Sequence, residues 1–338
     1  MEKIDFVLPW VDGNDKAWIA LKRKYENSTA AMPCSDPAAN ADCRYRDYGL
    51  LKYWFRAVER FAPWVNRVYF VTCGQKPAWL DESNPKLRLV SHNEYIPAKY
   101  LPTFQSNTIE LNLHRIADLS ERFVLFNDDV FLLRPVKPEY FFKNGHPVIC
   151  CYLGIPRWLG FSYTSRVMIN NSWTLKSSLS VERLVWKNIW KFTDLHALGF
   201  VRAVKNLLSF AVNRILIVGS FGHLAHPHLK STLETIWRIQ PRIMERTSQS
   251  RFRTDDCVNQ WLISAWDMVS GRFYPDHEKH RGRLVTFDED NICDLIRKQS
   301  YSELCLGEQG NCQNLELCVK KIAAAFDELL PEKSSFEK

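Results

Sequence analysis

Asn127, Asp128 and Asp129 close an uninterrupted apolar run, residues 123–126, and apolar residues resume at once with Val130, Phe131, Leu132 and Leu133. Two carboxylates and an amide delivered by a buried strand make a hard, oxygen-rich site suited to Mg²⁺ or Mn²⁺, so these three are the expected metal ligands. Asn and Asp also favour plain solvated turns. Carboxylates with apolar chain on both sides point instead to the floor of a cleft, where desolvation demands a cation partner. Upstream, Ser106 opens an expected short capped helix whose stripe is Ile109, Leu111, Leu113 and Ile116. It carries Glu110, and it offers Asn107, His114 and Arg115 as candidate substrate contacts.

Three histidines then fall within six residues, His223, His226 and His228. Zinc is a weak reading, since strand spacing puts His223 and His226 on opposite faces and no carboxylate sits beside them. General acid/base work needs only one imidazole poised near neutrality, and that is the preferred role. Arg253, ahead of an expected helix over 255–269, can neutralise a diphosphate or a charge developing on phosphorus. Asp5 lies inside the first expected strand and Asp12 at its end, where a carboxylate in an α/β domain meets a ribose or base.

The elements that must position these groups follow a parallel-sheet rhythm. Strands are expected over 4–13, 66–72, 87–90 and 123–126, with helices over 15–26 and 49–61, the second capped by Asp47. The loop over 27–42 is long enough to serve as a mobile cover. This gives an α/β chain built on a parallel sheet. A nucleotide-binding half spans 1–145, and an acceptor-side, Trp-rich, helical half spans 146–338, where Trp158, Trp173, Trp186 and Trp190 accumulate. Helices are expected over 181–190, 199–210, 229–240 and 311–330, the last as packing without chemistry.

Hydrophobic residues make 46% and charged residues 25% of the 338, which suits a globular chain with a substantial core. A formal charge of +7 fits an anionic nucleotide-sugar or membrane surface. No basic run or RNA-binding aromatic motif stands out, which sets nucleic acid aside. The start of the chain lacks the apolar length of a signal peptide. Residues 207–221, broken by Asn213 and Arg214, read as a buried helix followed by a strand rather than a span. Ten cysteines with no zinc-type pairing read as free structural thiols in a reducing compartment.

Four blocks in order resemble the Stealth family, which includes bacterial capsular polysaccharide phosphotransferases and the α/β subunit of animal N-acetylglucosamine-1-phosphotransferase. They are IDFVLPWVDG at 4–13, the long stretch 46–131 with LPTFQSNTIELNLHRI and FNDDVF, residues 222–230, and RFRTDDCVNQWL at 251–262. The resemblance implies a nucleotide-sugar-transferase-like (GT-A or Rossmann-like) α/β core and metal-dependent transfer of a sugar 1-phosphate from a UDP-sugar to a glycan hydroxyl, giving a phosphodiester and UMP. By position it assigns Asp5 to the first block's aspartate, Asp47 to the acidic residue opening the second, Asp129 to the catalytic aspartate and Arg253 to the fourth block's arginine. The third block departs from the family's His-x-Pro, with His223-Leu224-Ala225 and His226-Pro227-His228 both present. Counting back from Lys230 and Arg253 favours His223, with His226 its rival, and Cys257 stands where an acidic residue is expected.

The expected mechanism has Asn127, Asp128 and Asp129 holding the metal, His223 or His226 deprotonating the acceptor, and Arg253 with Arg115 stabilising phosphoryl oxygens. A glycosyltransferase releasing UDP and a catalytically silent glycan-binding member are the alternatives. The expected location is the cytoplasm, at the inner membrane face, with a growing or lipid-linked glycan as acceptor.

Overall fold

The computed structural model describes residues 3–28, 34–154, 162–212, 217–219, 222–307, 312 and 314–338. Ile4–Pro9, Val68–Thr72, Leu87–Ser91 and Arg122–Leu125 form strands β1 to β4, all parallel, in the sheet order β3-β2-β1-β4. His226–Leu229 adds antiparallel to the outer edge of β4. β1 and β2 are buried on both faces, as near-continuous apolar runs in a parallel sheet should be. Their side chains alternate between two cores. Phe6, Leu8 and Phe70 pack under helix Leu51–Phe61, while Val7, Tyr69 and Val71 face the core that contains helix Trp261–Val269.

From β1 the chain runs outward through β2 and β3, then returns to place β4 on β1's other side. That reversal opens a crevice beyond the C-terminal ends of β1 and β4, the standard ligand position of an open α/β sheet. Asn127 to Asp129 leave β4 there. The chain turns at once into Val130–Leu132, which pairs antiparallel with Glu303–Gly307 in a second sheet completed by Gly282–Thr286. Leu306 N–H donates to Asp129 O at 2.9 Å, so the acidic turn is fixed at the joint between two sheets.

The expected α/β architecture with a helical C-terminal region is the one observed, but the expected halves are interleaved. The strand of His226–Leu229 completes the first sheet, and helix Leu315–Leu329 packs Phe326 on Phe131 and Tyr53. Helix Leu51–Phe61 starts two residues later than expected, and Asp47 does not cap it; its carboxylate instead accepts from Gly49 N at 3.0 Å, a turn that uses Gly49 at φ +71°. The helix at Ser106 ends at Leu111 rather than Ile116, because Asn112 turns its amide back to Thr108 O and across to Ser248. Ser106 is not its cap residue.

The loop over 27–42 lies in part (29–33) outside the described residues, as does Trp158. Its described remainder is pinned: Ser35 donates to Asp255, and Asn40 bridges the backbone of Arg253. The apolar segment over 207–221 is described in part. Its helix runs from Leu195 to Val212 and turns large apolar side chains outward, contrary to the expected burial.

Candidate active site

One cavity of about 460 Å³ occupies the crevice. Pro9, Trp10 and Val11 from the end of β1 and Asn127, Asp128 and Asp129 from the end of β4 form its floor. The two aspartates are held as unwilling anions. Burial, then the neighbouring Asp129 and Asp47 charges, push the Asp128 carboxyl well above its ordinary range; burial also pushes Asp129 up, against the Cys305 thiol and the Arg44 charge. Asp129 Oδ1 is buried without a hydrogen-bond partner. Among the described residues no three of His, Cys, Asp and Glu converge on one point. Two carboxylates and the Asn127 amide nevertheless fit Mg²⁺ or Mn²⁺, which take one or two carboxylates and complete their shell with water and phosphate oxygens. The orphaned oxygen is the atom a cation would satisfy.

Two guanidiniums face this floor. Arg253 donates Nη1 to Ala39 O at 2.8 Å and Nη2 to Ser106 Oγ at 3.2 Å, and lies over the Tyr163 ring. Its Nε is buried without a partner. Arg44 donates Nε to Ala38 O. Desolvation and then the Arg253 charge depress its basicity, so the two cations repel across a gap that an anion would fill. Arg44 reaches this place because the chain at Tyr45 runs over Gly13, where a Cβ would stand 1.9 Å from Tyr45 O. Gly13→Ala should therefore lower the melting temperature and donor affinity together, which thermal denaturation and steady-state kinetics would read.

From the short helix, Asn107 and Glu110 line the cavity. Asn107 donates to Tyr163 Oη at 2.5 Å. Glu110 is buried, its pKa raised by desolvation against the pull of Arg253. Glu110, Arg44 and Tyr163 were not among the sequence candidates, although the spacing of Asn107 and Glu110 already puts them on one helical face.

His223 and His226 both line the cavity. Partial desolvation in the cavity wall, then Arg44 and Arg253, hold His223 below its ordinary value, so its imidazole is neutral at pH 7 and can accept a proton. Its ring meets Trp261 edge-on. His226 is strand-bound, with Nε2 3.1 Å from Gly222 O and its ring stacked on His228. His228 lies deeper, against Gln260 Oε1 at 3.0 Å, and does not line the cavity.

The loop carrying these imidazoles is tied down by buried Glu303, which accepts from Ala225 N, Tyr140 Oη and Arg281 Nη2. Arg281 is itself buried, so removing its carboxylate strands a charge. Glu303→Ala is expected to cost about 3–5 kcal/mol of stability, measurable by denaturant unfolding.

Four expected contacts lie outside the cavity lining. Asp5 sits at the opposite end of the sheet, fully buried, accepting from Asn66 Nδ2 at 2.7 Å and Ser120 N at 2.8 Å; it staples β1 to two loops. Asp12 forms a turn with Asn14 N and meets Gln75 through its backbone. Its charge helps to raise the pKa of Asp47, which does line the cavity. The break at Asn112 swings His114 and Arg115 away onto Trp237, with the Arg115 guanidinium 4.7 Å from the ring centre. Burial, Arg115 and Lys230 push His114 down to about 3. Cys257 is a buried thiol between Thr254 and Gln105, a packing position.

Residues 2–30 match the model of Stealth protein CR1, conserved region 1, and residues 44–149 that of Stealth protein CR2, conserved region 2. The whole chain is similar to the receptor polysaccharide phosphotransferase WefC of Streptococcus gordonii, 38% identical over 340 residues with 99% of that protein covered. It is similar to the capsular polysaccharide phosphotransferase WcwK of Streptococcus pneumoniae, 38% identical with both chains covered completely. Among solved structures it is similar to the galactosyltransferase LgtC over 95% of each chain, at a TM-score of 0.36 and 10% identity.

Proposed function

Since the chain belongs to the Stealth family and is a phosphotransferase of capsular or exopolysaccharide type, we propose that it moves a sugar 1-phosphate from a UDP-sugar to a glycan hydroxyl. The acceptor oxygen attacks the phosphorus nearer the sugar, the P–O bond to the uridine side breaks, and UMP leaves as the phosphodiester forms. What supports this is the meeting, in one crevice, of an acidic floor, two mutually repelling guanidiniums and a neutral imidazole.

Asp128 and Asp129, with Asn127, would hold Mg²⁺ or Mn²⁺, which supplies charge neutralisation at the diphosphate. His223 takes the acceptor proton. Arg253 and Arg44 bind the transferred phosphoryl oxygens, the place first given to Arg115. Asp47, Asn107 and Glu110 orient donor and acceptor hydroxyls. Arg44→Ala, a change at the cavity mouth, is expected to raise the donor KM about tenfold or more with the fold intact, since a hydrogen bond to a charged group is lost. We place the reaction in the cytoplasm, at the inner membrane face, on a growing or lipid-linked glycan.

The test is product analysis with labelled UDP-sugars and an oligosaccharide acceptor. Release of UMP with a phosphodiester signal in phosphorus NMR supports the reading. Release of UDP would make this an ordinary glycosyltransferase.

A further inference from the structure

Helix Leu195–Val212 is built inside out. Its inward positions are Leu198 and the small or polar Ala203, Asn206 and Ser209, whereas Phe200, Val201, Leu207, Leu208 and Val212 are exposed, Phe200 and Val212 by 72% and 73%. Phe200 and Leu207, and Val201 and Leu208, lie seven positions or two turns apart and Val212 one turn further, so they form one continuous stripe. Asn206 explains how the polar side stays in place. Fully buried, it accepts from Leu153 N at 3.0 Å and donates to Phe192 O at 2.8 Å. Trp186, 64% exposed, stacks on Phe210 at 5.9 Å and extends the apolar face onto helix Val181–Lys187.

We infer that this face docks on an anionic lipid bilayer, lying in the interface with its stripe in the acyl boundary. Charge complementarity selects that occupant: residues 163–212 hold seven Lys and Arg against two Asp and Glu. Arg183 and Lys187 flank Trp186, Lys205 sits within a turn of Val201 and Leu208, and all three are exposed. Apolar stripe, interfacial Trp and basic margin are the composition of a helix that rests on anionic membranes. Length and composition alone would let this helix cross a membrane. Geometry opposes crossing. Gly199, at φ 72° and ψ 160°, breaks it, leaving thirteen residues of continuous helix, about 20 Å against a hydrocarbon core of roughly 30 Å. Helix Tyr163–Ser178 begins at the cavity lining with Tyr163 and Thr164 and leads to exposed Trp173, on the order of 15 Å along its axis. The location at the membrane follows the proposed reaction, but the surface itself is argued from exposure and charge.

The test is co-sedimentation of the full chain with vesicles of phosphatidylglycerol and phosphatidylcholine, against pure phosphatidylcholine, at low and high salt. Binding to the anionic vesicles that weakens with salt is expected. The pair Phe200→Ser and Leu208→Ser should lower partition about tenfold or more with unchanged circular dichroism, and Arg183→Glu with Lys187→Glu should do the same at low salt. Turnover on a soluble acceptor should be unchanged in both. Equal partition of wild type and variants, or no binding, overturns the inference. So does a dimer in sedimentation equilibrium that the Ser pair dissolves, which would give the face to a second copy. A reaction releasing UDP would leave the vesicle result standing.

Discussion

Asp129→Asn is expected to lower turnover by about 10³ or more while raising the melting temperature in metal-free buffer. The two effects have one origin. Asp128 and Asp129 are like charges in a desolvated turn, and Asp129 Oδ1 has no hydrogen-bond partner. Both carboxyls are pushed above their ordinary 3.8, so the folded state binds protons more tightly than the unfolded chain does. The linkage then runs in one direction: metal-free protein loses stability as pH rises from the ordinary carboxylate range through the raised values. Asn at 129 removes one of the repelling charges and with it part of that loss, which is how a functional site trades stability for activity. Mg²⁺ or Mn²⁺ should raise the melting temperature of the wild type at pH 7 to 8 and leave Asp129→Asn nearly unmoved. Differential scanning fluorimetry across pH, with and without metal, reads all of this. A wild type indifferent to both cations would remove the metal from the proposed reaction.

How much of this could be read from residue order depends on the distance over which each feature is decided. Strands β1 and β2 were legible because burial on both faces makes them near-continuous apolar runs, and the acidic turn was legible because it interrupts another such run at 123–126. Asn107 and Asp129 share a cavity as expected, and Arg253, distant in sequence, joins them. Asp5 misled because strand direction decides which end of a sheet faces the crevice, and Asp5 enters β1 at the wrong end. His114 and Arg115 misled for a local reason with a tertiary cause: Asn112 finds Ser248, and the helix stops. Arg44 was invisible, since its position depends on the chain crossing Gly13. Helix Leu195–Val212 shows the limit of hydrophobic periodicity, which locates a stripe and is silent about whether protein covers it.

Between the two rival imidazoles, His223→Ala is expected to cost about 10² to 10⁴ in kcat with little change in melting temperature, as loss of a general base does. His226→Ala should show the reverse balance, because its ring is buried in the edge strand, held by Gly222 O and stacked on His228. Its basicity is depressed well below the usual value by burial and then by His228, Arg281 and His223, so it stays neutral without serving the acceptor. His223 is depressed by partial desolvation and then by Arg44 and Arg253, from an ordinary 6.5. A base whose pKa is lowered remains deprotonated further into acid, so the acidic limb of kcat/KM should lie below pH 6.5 and activity should fall only as pH passes under it. Arg44→Ala removes one of the charges responsible, and the limb should therefore move up toward 6.5. A merely structural histidine would not shift the profile in this way. If His223→Ala kept wild-type kcat while His226→Ala lost it, with the Arg44 variant's profile unmoved, the proton acceptor would be His226.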